Sequence, residues 1–394
     1  MTTRDGRGPM RAGDMREHNT VAVLRAVVHA RGGISRAEIS TALGLTRSTV
    51  SAIVDALLGA GLLTAGTPIA GGTGRPRVPL RPADVVAGLG AEISADRVRV
   101  VARSVSGHRL ACRDAFADTP ALPPAQVVAL LADTVDAVRA ELPRQTDVVG
   151  LTVSVPGRIG RDGRTVVSAP NLGWTDVPLA DLLGAHERLA ALSPVLANDS
   201  DLAARFEAIS RPGESFVLIH GETGIGGAIV VDGRILRGET GWAGEIGHIN
   251  IVPDGAPCGC GRRGCLEAYA GFHTLRRALD LPEGTHLDDL ARALASPDAR
   301  TRELVAEVGE HLGAVIAAVL NVLDLSTVVL SGYFRALAPQ LAPSVRAVLR
   351  ERALRPEAEL VQSAGDGRQE ADGAAREALE PFWRDVTGWI AARG

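Results

Sequence analysis

Lysine is absent from the 394 residues, so all 42 basic side chains are arginine. A phosphate-loop lysine is therefore impossible, which removes every Walker-type nucleotide site. Aromatic residues make up only 3% of the chain, and four cysteines are too few to staple a chain of this length with disulfides. No apolar run reaches the roughly 18–20 residues that a membrane span requires. The opening segment, MTTRDGRGPMRAGDMREHNT, has neither an apolar core nor a cleavage-type site. The expectation is a cytoplasmic protein with no membrane partner.

What is present is an ordinary globular mix, 46% hydrophobic and 22% charged. The net charge of −4 hides an asymmetry. Residues 1–82 carry 11 arginines against five acids, a net of +6, whereas 83–394 carry 31 basic against 41 acidic groups, a net of −10. A basic head on an acidic body points to different partners for the two parts, with nucleic acid as the candidate for the head.

Within 1–82, Val21, Leu24 and Val28 fall on one helical face that stops at Gly32-Gly33. Ser35-Arg36-Ala37-Glu38 is a capping box opening a second helix, which ends at Gly44. Thr46 caps a third, whose Val50, Ile53, Val54 and Leu57 form an apolar stripe. Arg47, Ser48, Thr49 and Ser51 lie on its other side. A short strand and a Gly-rich wing follow, carrying Arg75, Arg77 and Arg81. Three short helices with a tight turn before the last form a winged helix-turn-helix, a unit that reads the major groove with the start of its third helix. The expected DNA contacts are Arg36, Thr46, Arg47, Ser48, Thr49, Ser51, Arg75 and Arg77. The competing reading is a helical interaction module whose polar face is merely solvated.

From Val85 onward, short apolar runs (VVAGLGAEIS, VVGLTVSV, SFVLIHG, TVVLSGY) alternate with amphipathic helices, an α/β order in which two tandem blocks would meet at a cleft. Three cysteines sit in CGCGRRGC at 258–265, preceded by GEIGH at 244–248. Cys258, Cys260 and Cys265 supply thiolates and His248 a fourth donor, the set a structural Zn2+ takes; the alternative is buried or oxidised cysteines. Gly259, Gly261 and Gly264 would let the backbone turn tightly enough. Cys112 reads as a small core residue. Asn198 and Asp199 end an apolar strand, and Glu245 and Glu267 flank the cysteine loop, a set of groups suited to paired sugar hydroxyls. Trp174 and the 270–300 region are expected to shape that pocket.

These residues carry a resemblance. VSVPGRI at 153–159, SAPNLGW at 168–174, NDSDLAA at 198–204, GETGIGGAIVVDGRILRGETGWAGEIGHI at 221–249 and CGCGRRGCLEAYAG at 258–271 resemble the ROK family of repressors and sugar kinases. With the helix-turn-helix head, the chain resembles that family's transcriptional repressors. The resemblance implies an actin-like (ribonuclease-H-like) body of two α/β subdomains, at 83–197 and 198–374, behind a 1–82 head, with a C-terminal helix (375–394) returning to the first. It implies zinc on His248, Cys258, Cys260 and Cys265, and a sugar held by Asn171, Asn198, Asp199, Glu245, His248 and Glu267. In the family's kinases the residue matching Asp199 is the base.

Two nucleotide elements depart from the kinases. The first phosphate loop reads Glu92-Ile93-Ser94-Ala95-Asp96, with no glycine or threonine and two carboxylates that would meet phosphate without a compensating donor. The segment VVLSGYFRAL keeps a single glycine, Gly332. The expectation is a non-catalytic, sugar-responsive repressor binding operator DNA as a homodimer or homotetramer. An active sugar kinase with a DNA-binding head is the alternative, and a repressor controlled by a protein partner is a third.

Overall fold

The computed structural model describes residues 12–30, 32–69 and 77–393. Helix α1 (Ala12–His29) turns Thr20, Val23, Leu24 and Val27 into the head's core. Val21 and Val28 are only half-buried and pack at the margin of that core. Helix α2 (Arg36–Leu43) begins with the reciprocal bonds of Ser35 and Glu38, and Gly44 ends it at φ +64°. Helix α3 (Arg47–Gly59) is capped by Thr46 and buries Val50, Ile53, Val54 and Leu57. Strands β1 (Leu63–Ala65) and β2 (Leu80–Pro82) pair antiparallel at the base of the wing. Arg75 lies outside the described residues.

The first lobe contains β3 (Val86–Ile93), β4 (Arg97–Ser104), β5 (Arg109–Phe116), α4 (Pro124–Glu141) and β6 (Asp147–Val155). A small sheet of β7 (Arg158–Ile159), β8 (Val166–Ala169) and β9 (Trp174–Val177) follows, then α5 (Leu179–Ala185), α6 (Glu187–Ala190) and β10 (Val195–Asn198). The main sheet runs β10-β6-β3-β4-β5. Strand β3 is buried at every position, as a central strand covered on both faces must be.

The second lobe repeats this plan. It contains α7 (Asp199–Ser210), β11 (Phe216–Gly221), β12 (Ile225–Val231) and β13 (Arg234–Ile235). Then come α8 (Glu267–Ala270), α9 (Phe272–Ala278), α10 (Leu287–Leu294), α11 (Ala299–Leu323), β14 (Thr327–Gly332), α12 (Tyr333–Arg352) and β15 (Glu359–Gln362). Its sheet order is β13-β12-β11-β14-β15. In each lobe the first strand pairs antiparallel with the strand after it and parallel with a later one, so the two sheets are topological repeats facing each other. By length and composition α11 could cross a membrane, but half of its apolar window is buried and its inner face joins the second lobe's core.

The last segment ties everything together. Helix α13 (Gln369–Glu377) lies between the lobes, so close to β3 that a Cβ on Gly90 would meet the Ala371 carbonyl oxygen at 2.0 Å. Helices α14 (Glu380–Arg384) and α15 (Val386–Ala391) continue onto the head. Leu379, Phe382 and Val386 share one hydrophobic cluster with Val23, Leu24, Val54 and Leu57. The Glu17 carboxylate accepts from the backbone N–H groups of Val386 (2.9 Å) and Thr387 (3.1 Å) and from the Thr387 hydroxyl. On the other side, the Trp389 ring N–H donates to Asp147 of β6 at 2.8 Å. The tail therefore packs against both the head and the first lobe.

Candidate functional site

The cleft between the lobes is a cavity of about 520 Å³. Asn171, Asn198, Asp199, Glu245, His248 and Glu267 all line it. Asn198 ends β10, where its side-chain oxygen accepts from the Asp201 N–H (3.1 Å) and caps α7. Its amide nitrogen donates to the Gly157 carbonyl at 3.0 Å, so Asn198 also fixes the loop across the cleft. Asp199, the first residue of α7, accepts from the Ser200 N–H at 2.7 Å. Burial pushes its carboxyl up to about 6, although the nearby His220 charge pulls the other way. Glu267 accepts from the Ile225 N–H at 2.9 Å and thereby joins the cysteine loop to the start of β12.

The cysteine loop forms a compact donor set. His248, Cys258, Cys260 and Cys265 place one donor atom each within 4.8 Å of all the others. The sulfurs of Cys260 and Cys265 are 3.8 Å apart, and Cys258 Sγ is 3.7 Å from His248 Nδ1. Arms of about 2.3 Å at the tetrahedral angle give edges of about 3.8 Å, so this set could hold one four-coordinate metal ion. The other ring nitrogen, Nε2, faces Glu245 Oε2 at 3.8 Å. Gly261 and Gly264 adopt φ +83° and +75°, whereas Gly259 does not use positive φ.

Other expectations need correction. Trp174 is buried and does not line the cavity, because its ring belongs to the first lobe's hydrophobic core. The 270–300 region does not line it either. The aromatic at the cleft is Trp242, whose ring N–H donates to the Ile159 carbonyl at 2.8 Å, with the Arg158 guanidinium 4.9 Å above the ring. Nor are Glu92 and Asp96 uncompensated. Arg99 lies 3.2 Å and Arg97 3.6 Å from the Glu92 carboxylate, and Arg97 pairs with Asp96 at 3.3 Å. Burial still pushes the Glu92 carboxyl up to about 8 against the pull of Arg99. His220 and Glu222 also line the cavity and went unread. The signal was available: SFVLIHGE, like SPVLAND, is an apolar strand ending on polar side chains.

On the head, Arg47 and Ser48 are exposed at the start of α3, and the Thr46 hydroxyl contacts those of Ser48 (3.0 Å) and Thr49 (2.8 Å). Ser51 is half-buried. Arg36 pairs with Asp55 at 2.6 Å, clamping α2 to α3. Arg77 reaches from the wing to Glu38 (2.9 Å) and to the Gly33 carbonyl (2.7 Å). The structure thus leaves Arg47 and Ser48 exposed and gives Arg36 and Arg77 internal partners.

Comparison with known proteins agrees with this architecture. The ROK family model matches residues 89–376, and a MarR family model matches residues 18–71. A glucokinase of Halalkalibacterium halodurans is 35% identical over 208 residues, which are 48% of this chain and 62% of that enzyme, less than two thirds of its length. The xylose repressor of Bacillus subtilis is 24% identical over 322 residues, covering 81% of this chain and 83% of the repressor. Among solved structures, a ROK family transcriptional regulator, a homologue of the E. coli MLC protein, superposes with a TM-score of 0.75 at 24% identity, covering 96% of this chain and 98% of that one. That likeness establishes the fold, a winged-helix head on an actin-like α/β body.

Proposed function

The chain belongs to the ROK family, and on that premise we propose that it is a sugar-responsive transcriptional repressor whose ligand occupies the interlobe cleft. One observation carries the reading: six sugar-type side chains line a single cavity in a chain whose tail also packs into the core of a DNA-binding head. The head would bind operator DNA as a homodimer or homotetramer, with Arg47, Ser48 and Thr49 at base edges and Arg36, Arg75 and Arg77 along phosphates. Arg36 and Arg77 would share their guanidinium groups between an internal carboxylate and the DNA backbone. A cytoplasmic site of action follows from the same reading.

The sugar would be gripped by Asn171, Asp199, Glu245, His248 and Glu267, with Asn198 holding the loop. Zinc on His248 Nδ1 and the three thiolates fits the donor set and would fix the imidazole so that Nε2 faces the ligand. Xylose heads the ligand panel because relatives of similar length are xylose repressors. Nucleotide chemistry is disfavoured: Glu222 and Asp199 line the cleft as carboxylates, and the nearby Arg97 and Arg99 already engage the buried Glu92 rather than facing an anionic ligand. Ligand closure would move one lobe against the other and, through α13 to α15, the head. A coupling of about 1–3 kcal/mol changes DNA affinity about 5–150-fold.

One observation favours the kinase alternative. A carboxylate held near 6 suits a general base, and the glucokinase relative is 35% identical over the part it covers. Selection of bound duplexes from a random library, followed by sugar and ATP titration, separates the two. Sequence-selective binding that shifts with sugar and ignores ATP supports the proposal; Asp199-dependent sugar phosphorylation overturns it. Arg47→Ala is expected to weaken DNA binding by about 1–3 kcal/mol while leaving sugar affinity unchanged.

A further inference from the structure

The floor of the cleft holds a second donor set that the sugar site and the cysteine loop leave unused. His220 is the penultimate residue of β11, Glu222 stands in the turn to β12, and Glu370 lies in the first turn of α13. One donor atom from each lies within 4.8 Å of the others. His220 and Glu370 are each 1% exposed. His220 Nε2 approaches Glu370 Oε1 at 2.9 Å as a buried ion pair at an angle poor for a hydrogen bond, and His220 Nδ1 has no partner among the described residues. Two donors each about 2.1 Å from one ion and at right angles lie about 3.0 Å apart, so this approach has the separation of ligands sharing a cation.

Charge points the same way. Arg97 and Arg99 sit against Glu92, and Arg99 also engages Asp114 at 2.7 Å. The remaining carboxylates at the floor, Glu222, Glu370 and the nearby Asp199, face one imidazole. Buried carboxylates in that excess need protons or a cation to compensate them. We propose that His220, Glu222 and Glu370 form a binding site for a divalent first-row transition ion, separate from the cysteine loop. One imidazole and two carboxylates suit Mn2+ or Fe2+, and His220 and Glu222 open onto the cavity. Such an ion fastens the β11–β12 turn to α13, the helix that leads to the head.

The test uses the full-length, zinc-loaded protein and counts bound Mn2+ from the loss of the free-ion paramagnetic resonance signal. The wild type is expected to bind one Mn2+ per chain. Glu222→Gln and Glu370→Gln should each weaken that binding at least tenfold, with zinc content by elemental analysis unchanged. Should Glu370→Gln fail to fold, as judged by circular dichroism, the more exposed Glu222→Gln decides alone. No Mn2+ bound by the wild type, or undiminished affinity in the folded variants, overturns the proposal.

Discussion

The rim and the floor of the cleft are built in opposite ways. The rim's donor set comes from 18 consecutive residues, His248 to Cys265, and is shaped by local turns. The floor's set, His220, Glu222 and Glu370, is drawn from segments up to 150 positions apart and exists only once the second lobe's sheet and α13 have assembled. The link between tail and head is of the second kind, since Glu17 caps a helix that starts at Val386. Local construction gives a part that can fail without unfolding the protein. Long-range construction makes the part and the fold fail together.

That contrast can be broken most forcefully at the tail. Phe382 is 3% exposed and packs edge-on against Trp383 and Trp389. Phe382→Ala is expected to cost about 3–5 kcal/mol in chemical denaturation, with zinc content unchanged. At the rim, Cys260→Ser should abolish metal binding by elemental analysis and lower sugar affinity, because the His248 ring loses the ion that would orient it, while leaving most of the fold intact by circular dichroism. Glu267→Gln removes a charged acceptor from the Ile225 N–H and, in the proposed reading, from the sugar, worth about 1.5–3 kcal/mol, and should weaken sugar binding in calorimetry without changing DNA affinity in its absence.

The smallest effect is the sharpest in sign. In the proposed reading Asp199 would accept ligand hydroxyls in its ionised form, and its carboxyl is held up at about 6 by burial. Sugar affinity should therefore be full above pH 7 and fall about tenfold per unit as pH drops below 6. Asp199→Asn should bind more weakly and lose that pH dependence. A flat wild-type profile between pH 5 and 7 would show that Asp199 does not contact the ligand.

Legibility followed the same division. Ser35-Arg36-Ala37-Glu38 gave the capping box, and the third helix gave its buried stripe, because caps and helical periodicity are local properties. The cysteine spacing likewise pointed to the four donors found together. Trp174 misled because a lone aromatic in a loop-like stretch does not disclose which way its strand will turn. Glu92 was read without Arg99, which faces it only through the β3–β4 pairing. Segment 358–380, AELVQSAGDGRQEADGAAREALE, fits the family's ending poorly and carries no local signal that discloses its place. It forms β15 and the small-residue helix α13, whose alanines permit contact with Gly88 and Gly90 that only the assembled sheet requires.

The central claim is that a cleft built for a sugar acts on a DNA-binding head across the α13–α15 segment. The most direct test is operator affinity by fluorescence anisotropy, at fixed salt, with and without saturating sugar and with no ATP. The account predicts a change of about 5–150-fold, with the sugar concentration needed to produce it shifted upward in Glu267→Gln in step with that variant's weaker sugar binding. Equal operator affinity with the sugar site demonstrably filled would contradict it.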